Sequence, residues 1–198
     1  CMPFMKPMSL DNVPEDILER FTHYQNTRGF TPNSIQTMVR RPNIVRAFMQ
    51  LNQAVLYEGS VKEELKMLVS LVASQVAGCQ YCQAHMANLS KIYQASEEKI
   101  SQVWDFESSK LFTAAERAAL RLAYHGAMSP SQTTQEHFDE LHKFYDESEI
   151  IEIVATISLF GFLNRWNDIM ATEIEELPAV VAKDTIGQSF NWDVGKHK

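Results

Sequence analysis

The most informative segment of the chain is Ala77-Gly78-Cys79-Gln80-Tyr81-Cys82-Gln83-Ala84-His85. It follows a run of residues that is apolar nearly throughout after Lys66, and a glycine at such a place commonly lies just beyond the end of a helix. The pattern predicts that Gly78 ends one helix and that a second helix begins at Cys79. Because side chains three residues apart lie one turn above another, Cys79, Cys82 and His85 would share one helix face.

Two thiols in the first turn of a helix favour redox chemistry. The positive end of the helix dipole stabilises a thiolate there, so we expect both cysteines to have lowered pKa values. His85 follows one turn later, and an imidazole with an ordinary pKa of ~6.5 suits proton transfer at neutral pH. The alternatives are a pair of buried small side chains or an inert disulfide. Zinc fits poorly, because three ligands within two turns leave the fourth unaccounted for.

Composition limits the classes of partner. The chain has 198 residues, 45% of them hydrophobic, which is enough for one large domain or two small ones with a real core. Its net charge of −7 argues against a nucleic acid or an anionic membrane as the main partner. No window approaches the ~20 apolar residues of a membrane span. Apart from Cys1, the two cysteines of the chain lie in one motif. In a cytosolic protein such a pair is more often catalytic or redox-sensing than a structural disulfide, and we expect a cytoplasmic protein.

The remaining chain predicts helices only. Glycines and prolines are few, and no convincing alternating strand is present, so the fold class is all-α. A capping box at Ser60–Glu63 is expected to begin a helix from Val61 to about Ala77, which its all-round hydrophobicity places at the centre. A second capping box is expected at Thr113, and the last long helix is expected to end near Glu176, before Pro178.

A weak internal repeat suggests two related helical halves. Glu64 aligns with Glu149 at an offset of 85 residues, and the same offset places Cys82 on Asn167 after a small or polar break. Only the first half would then have thiols. We predict one helical domain over residues 1–198 with four parts: N-terminal helices in 1–59, the half with the cysteine pair in 60–128, the second half in 129–177 and a C-terminal tail in 178–198.

With these motifs in place, the chain resembles the carboxymuconolactone decarboxylase and alkylhydroperoxidase (AhpD-like) family, in its peroxidase-related branch. The shared site is a Cys-x-x-Cys followed shortly by histidine, at the start of a helix after a long apolar one. The resemblance is strongest over Glu64–Leu89 and extends to Thr113–Leu120, Gly161–Asp168 and Trp192–His197. It implies an all-helical AhpD-like fold that assembles as trimers or hexamers.

The resemblance also implies roles for the site residues. Cys82 would attack a hydroperoxide, Cys79 would resolve the sulfenic acid into a disulfide, and His85 would take part in a proton relay. The family histidine lies four residues after the second cysteine, whereas His85 lies three after. The family glutamate lies twelve residues before the first cysteine, where this chain has Met67, and Glu64 one turn earlier could replace it.

The expected function is therefore a thiol-dependent hydroperoxide reductase without a cofactor or a metal. Its partners would be a peroxide or another small substrate, a dithiol reductant such as a lipoyl group, and further copies of the chain in a homo-oligomer. Two alternatives stay open. One is a cofactor-free lyase of the decarboxylase type, which needs acid–base groups rather than a dithiol. The other is a non-catalytic oligomeric scaffold with a structural disulfide.

Overall fold

The computed structural model describes residues 2–198, so Cys1 lies outside the described residues. This part of the chain forms helices and no strand, which confirms the all-α prediction. The helices are α1 (Glu15–Arg28), α2 (Asn33–Met38), α3 (Pro42–Tyr57), α4 (Glu63–Ala77), α5 (Gln80–Ile92), α6 (Glu97–Ser101), α7 (Ala114–Gly126), α8 (Gln135–Leu141), α9 (Glu147–Met170), α10 (Glu176–Asp184) and α11 (Ile186–Phe190). Within residues 2–198, none of them is both long and apolar enough to cross a membrane.

Helix α4 is the centre of the fold. Every residue from Leu65 to Ser74 is buried, as its all-round hydrophobicity predicts. The helix packs against α5, α7 and α9, and α5 in turn packs against α10. The cysteine motif at the start of α5 therefore lies beside the most buried element of the protein.

The predicted capping box at Ser60 is wrong. Helix α4 begins at Glu63 and its N-cap is Lys62, which makes no side-chain cap. Instead, the Glu152 carboxylate of α9 accepts hydrogen bonds from the backbone N–H groups of Ser60 and Val61, at 2.9 and 3.0 Å. The same carboxylate forms an ion pair with Lys66 Nζ at 3.0 Å. A tertiary contact thus replaces the local cap.

The Lys66–Glu152 ion pair gives a stability prediction. Lys66 is only 1% exposed, so Glu152→Ala would leave a buried ammonium without its carboxylate. We expect the free energy of unfolding to fall by about 3–5 kcal/mol in urea titrations. Glu147→Gln, at an exposed position of the same helix, is the matched control and should change it little. Adding Lys66→Met should recover much of the loss; a loss that persists unchanged in the double variant would contradict this explanation.

The junction between α4 and α5 agrees with the prediction. Gly78 ends α4 in the left-handed conformation, with φ of +75°, which glycine adopts without steric cost. Cys79 follows at once as the N-cap of α5, and its Sγ accepts a hydrogen bond from the backbone N–H of Cys82 at 3.4 Å. Thr113 and Glu116 form the predicted capping box of α7.

The second half differs from the prediction in two places. Helix α9 runs unbroken through the positions where the repeat implies a break, and it ends at Met170 rather than near Glu176, because Ala171 turns left-handed with φ of +46°. Pro178 does not stop a helix but lies in the first turn of α10, where a missing N–H costs no helical hydrogen bond. The division of the chain into four parts stays a prediction.

The last residues return to the start of α5. The indole Nε1 of Trp192 donates a hydrogen bond to the backbone oxygen of Gln80 at 3.1 Å. His197 is fully buried, and its Nδ1 lies 2.8 Å from the backbone oxygen of Thr172. Helix α10 and this tail together cover the motif helix, which places residues from beyond 170 next to the cysteines.

Candidate active site

Cys82 and His85 lie on the wall of one small cavity. The cavity has a volume of about 50 Å³ and a mainly apolar lining that includes Phe48, Phe160 and Leu163. Both cysteines are reduced; Cys79 is fully buried and Cys82 is 2% exposed. Cys82 lines the cavity and Cys79 does not, so a small molecule in the cavity meets Cys82 first.

The electrostatics of Cys82 differ from the expectation of an easily formed thiolate. Cys82 does lie in the first turn of α5, but burial raises the pKa of its thiol well above the ordinary value, and the neighbouring Cys79 raises it further. Desolvation disfavours the charged sulfur more strongly than the helix terminus favours it. The resting site therefore holds a protonated Cys82, and the prediction of a lowered pKa is wrong for this residue.

Asn167 partly opposes this effect. Its Nδ2 lies 3.5 Å from Cys82 Sγ and donates a hydrogen bond that lowers the thiol pKa. The same amide group donates to the backbone oxygen of Leu163 at 3.0 Å, which fixes its orientation. Asn167, which lies in α9, is the residue that the repeat offset aligned with Cys82, and its side chain makes a polar contact with the Cys82 sulfur.

Glu175 is the functional residue that sequence reasoning missed. Its Oε2 lies 2.6 Å from His85 Nε2, and both side chains are nearly buried. Burial alone would raise the pKa of Glu175, but the charge and hydrogen bond of His85, with the backbone N–H of Asn33, lower it below the ordinary value of 4.5. Glu175 is therefore a carboxylate, and His85 Nε2 carries the proton that it donates to Glu175.

Tyr81 holds this pair in place. Its hydroxyl donates to Glu175 Oε1 at 3.2 Å and accepts from the backbone N–H of Ser34, also at 3.2 Å. Its ring stacks on the His85 imidazole with 4.2 Å between the centroids. Burial, together with the charge of Glu175, raises the Tyr81 pKa well above the ordinary value, so the phenol stays neutral. The imidazole is thus fixed in both tautomer and orientation.

The structure brings Cys79, Cys82 and His85 together but leaves Glu64 outside the site. The Glu64 carboxylate accepts a hydrogen bond from Lys99 Nζ at 3.0 Å, and the same ammonium binds Glu116 at 2.6 Å. Glu64 is not among the residues that line the cavity. The His85 partner comes instead from a position 90 residues further along the chain. The only sequence signal for it is an acidic residue just before a proline-containing segment.

Across residues 2–198, no group of three or more His, Cys, Asp or Glu side chains is arranged to hold a metal ion. The histidine next to the cysteine pair already uses Nε2 to contact Glu175. The reactive groups that the site presents are two thiols, an imidazole and a carboxylate.

Known proteins share this architecture. The structure of the debrominase Bmp8 aligns with a TM-score of 0.84 and 33% identity, covering 91% of this chain and 96% of Bmp8. A cysteine-to-alanine variant of Bmp8 in complex with 2,3,4-tribromopyrrole aligns with a TM-score of 0.85. A peroxidase-related protein from Ralstonia eutropha with an AhpD core aligns with a TM-score of 0.80 and 20% identity, covering 90% of this chain and 95% of that one, and shows the fold alone.

Sequence comparisons agree with the fold. The uncharacterized protein YdfG of Bacillus subtilis is 25% identical over 114 residues, which are 57% of this chain and 75% of YdfG. Residues 42–125, which include the cysteine pair and His85, match the carboxymuconolactone decarboxylase family. The AhpD-like fold and the family resemblance are thereby confirmed. The chain belongs to the carboxymuconolactone decarboxylase family.

Proposed function

We propose that this protein is a cysteine-pair reductase that passes two electrons from Cys79 and Cys82 to a small apolar substrate. One observation carries the proposal: Cys82 lies on the wall of an apolar cavity, with reduced Cys79 one turn behind it and His85 on the same wall. Family members and structural relatives that are enzymes support a catalytic role. Which substrate accepts the two electrons is the more specific part of the proposal.

A brominated aromatic ring is the first candidate substrate. It is supported by 33% identity to debrominase Bmp8 over nearly the whole chain. The apolar side chains of the lining, Phe48, Phe160 and Leu163, also suit a flat apolar ring, for which the cavity of about 50 Å³ must widen. A hydrophobic wall also keeps Cys82 away from water-soluble oxidants in the resting state.

The chemical step conserves atoms and electrons. The Cys82 sulfur attacks bromine, the carbon–bromine electron pair passes to the ring carbon, and that carbon takes a proton. Cys79 then attacks the sulfur of the sulfenyl bromide, a disulfide forms and bromide leaves. One ring carbon is reduced while two thiols are oxidised, and one of their two protons is released. An external dithiol, such as a lipoyl group, reduces the disulfide and resets the pair.

His85 is the proposed proton carrier. Because Nε2 donates to Glu175, the neutral form of the ring has its free lone pair on Nδ1, and in that form Nδ1 is the atom that would accept the Cys82 proton when a substrate enters. The raised pKa of Cys82 makes this transfer necessary, since little thiolate forms without a base. The Glu175 carboxylate then stabilises the imidazolium.

An organic hydroperoxide is the second candidate, favoured by the His85–Glu175 pair. Cleavage of an oxygen–oxygen bond releases an alkoxide that must be protonated, and an imidazolium on the same wall could supply that proton. Cys82 would become a sulfenic acid, and Cys79 would close the disulfide with release of water. The same dithiol therefore serves either electrophile.

The two substrates are distinguished by their products. The reduced protein should release one bromide per disulfide formed from 2,3,4-tribromopyrrole, and dithiothreitol should sustain turnover. Cumene hydroperoxide, offered under the same conditions, should be consumed more slowly if the aromatic cavity selects the substrate. Bromide can be measured by ion chromatography and peroxide by a dye assay. Faster peroxide consumption would assign the second candidate, and intact thiols after both incubations would contradict the reductase proposal.

A further inference from the structure

A second, larger cavity adjoins the one at Cys82. It has a volume of about 420 Å³ and lies among α1, α3, α4 and α5. The two cavities share three lining residues: Tyr24, Arg28 and Leu89. The outer cavity, which we call the vestibule, is therefore the neighbour of the inner one, and Arg28 is in the lining of both.

The vestibule lining has more positive than negative charge, with two arginines and one glutamate. Arg20 and Arg28 both line it, both are half-buried, and neither forms an ion pair in the part of the chain that is described. Arg28 donates one hydrogen bond to the Tyr57 hydroxyl at 2.6 Å, and Arg20 donates one to Gln53 Oε1 at 2.7 Å. A guanidinium has five N–H donors, so most of them have no side-chain acceptor. Glu63 is the one acidic residue of the lining, and it is exposed.

A buried hydroxyl without a partner marks the junction of the cavities. Tyr24 is 2% exposed and lines both cavities, and its hydroxyl forms no hydrogen bond of ordinary geometry within residues 2–198, although the Arg20 side chain lies close to it. The Arg28 guanidinium lies 4.7 Å above its ring. Burial raises the pKa of Tyr24 despite the opposing charges of Arg28 and Arg20, so the hydroxyl is a neutral donor. A buried polar group of this kind usually has a partner, and a ligand group in the vestibule would supply one in place of water.

We propose that the vestibule is an anion subsite, in which Arg28, with Arg20 and the Tyr24 hydroxyl, binds a carboxylate or phenolate carried by the aromatic substrate of Cys82. The inference rests on the proposed function and narrows its substrate class: a halogenated aromatic ring that carries an acidic group should bind more tightly than its neutral analogue. The ring would lie at the junction of the two cavities, with its reactive carbon toward Cys82. Arg28 is then the residue that determines specificity, because planar guanidinium donors match a carboxylate in two hydrogen bonds.

Binding without turnover tests the subsite separately from catalysis. In the Cys82→Ala variant no reduction can occur, and titration calorimetry can compare 4-bromobenzoate with its neutral analogue 4-bromobenzamide. We expect the acid to bind roughly tenfold more tightly than the amide, since a charge-assisted pair with Arg28 is replaced by a neutral hydrogen bond. Adding Arg28→Gln should remove the preference, Arg28→Lys should keep part of it, and Arg20→Gln should reduce it.

Arg46→Gln is the matched control. Arg46 forms an exposed ion pair with Asp16 at 2.7 Å and does not line the vestibule, so the preference for the acid should persist. Equal binding of both compounds, a preference that survives Arg28→Gln in a folded variant, or no binding of either would overturn the anion subsite. Failure of the wild-type protein to release bromide would instead count against the proposed function, because the binding comparison needs no turnover.

Discussion

Replacing Cys82 with alanine is expected to abolish turnover, whereas replacing Cys79 is expected to stop the reaction after one cycle. Cys82 is the sulfur on the cavity wall, and without it no thiol reaches the substrate. We expect a loss of more than about 10³-fold in kcat/KM, as is usual when a nucleophile is removed. Cys79 does not line the cavity, so its thiol is needed only to resolve the intermediate.

Cys79→Ala should therefore still convert one substrate per protein molecule. With hydroperoxide, the product would be a stable Cys82 sulfenic acid that a dimedone adduct reveals by mass spectrometry. A Cys1→Ser background ensures that each thiol counted belongs to the pair, and serves as the control with full activity. If Cys82→Ala retains the single turnover and Cys79→Ala loses it, the two roles are exchanged. If neither variant differs from the background, the pair is not the reductant.

Local sequence signals predicted much of the fold and the cysteine motif. Gly78 predicted the break between α4 and α5, because a left-handed residue after a helix favours glycine. The run of apolar side chains on every face predicted that α4 is central, and Thr113 with Glu116 predicted the start of α7. Each of these features depends on residues within a few positions of one another, so the chain itself contains the information.

The features that were missed are all tertiary. Ser60 begins a capping-box sequence, but the carboxylate of Glu152, 92 residues away, accepts the hydrogen bond from its backbone N–H. The pKa of Cys82 depends on how completely the surrounding helices exclude water, which spacing within α5 does not report. Glu175 reaches His85 only because α9 ends at Met170 and α10 packs against α5. No short-range pattern could have distinguished it from Glu173 or Glu176.

Glu175→Gln is expected to give a large catalytic loss, up to that expected for removing His85 itself. The amide keeps the shape of the side chain but removes the charge that supports an imidazolium at His85. If His85 moves the proton, kcat should fall by about 10²–10⁴-fold, the range for loss of general acid–base catalysis. Glu173→Gln, at an exposed site two residues earlier, should leave kcat unchanged.

The same variant should change how stability depends on pH. Because the pKa of Glu175 is lower in the folded protein than its ordinary value of 4.5, ionised Glu175 stabilises the fold above that pH. This contribution is lost as the pH falls through the folded-state pKa. The difference in free energy of unfolding between wild type and Glu175→Gln should thus be largest near neutral pH and shrink below 4.5. Urea titrations at several pH values measure it. If this difference does not change with pH, the charge of the carboxylate is not what stabilises its contact with His85. If kcat is normal in the variant, His85 is not the proton carrier.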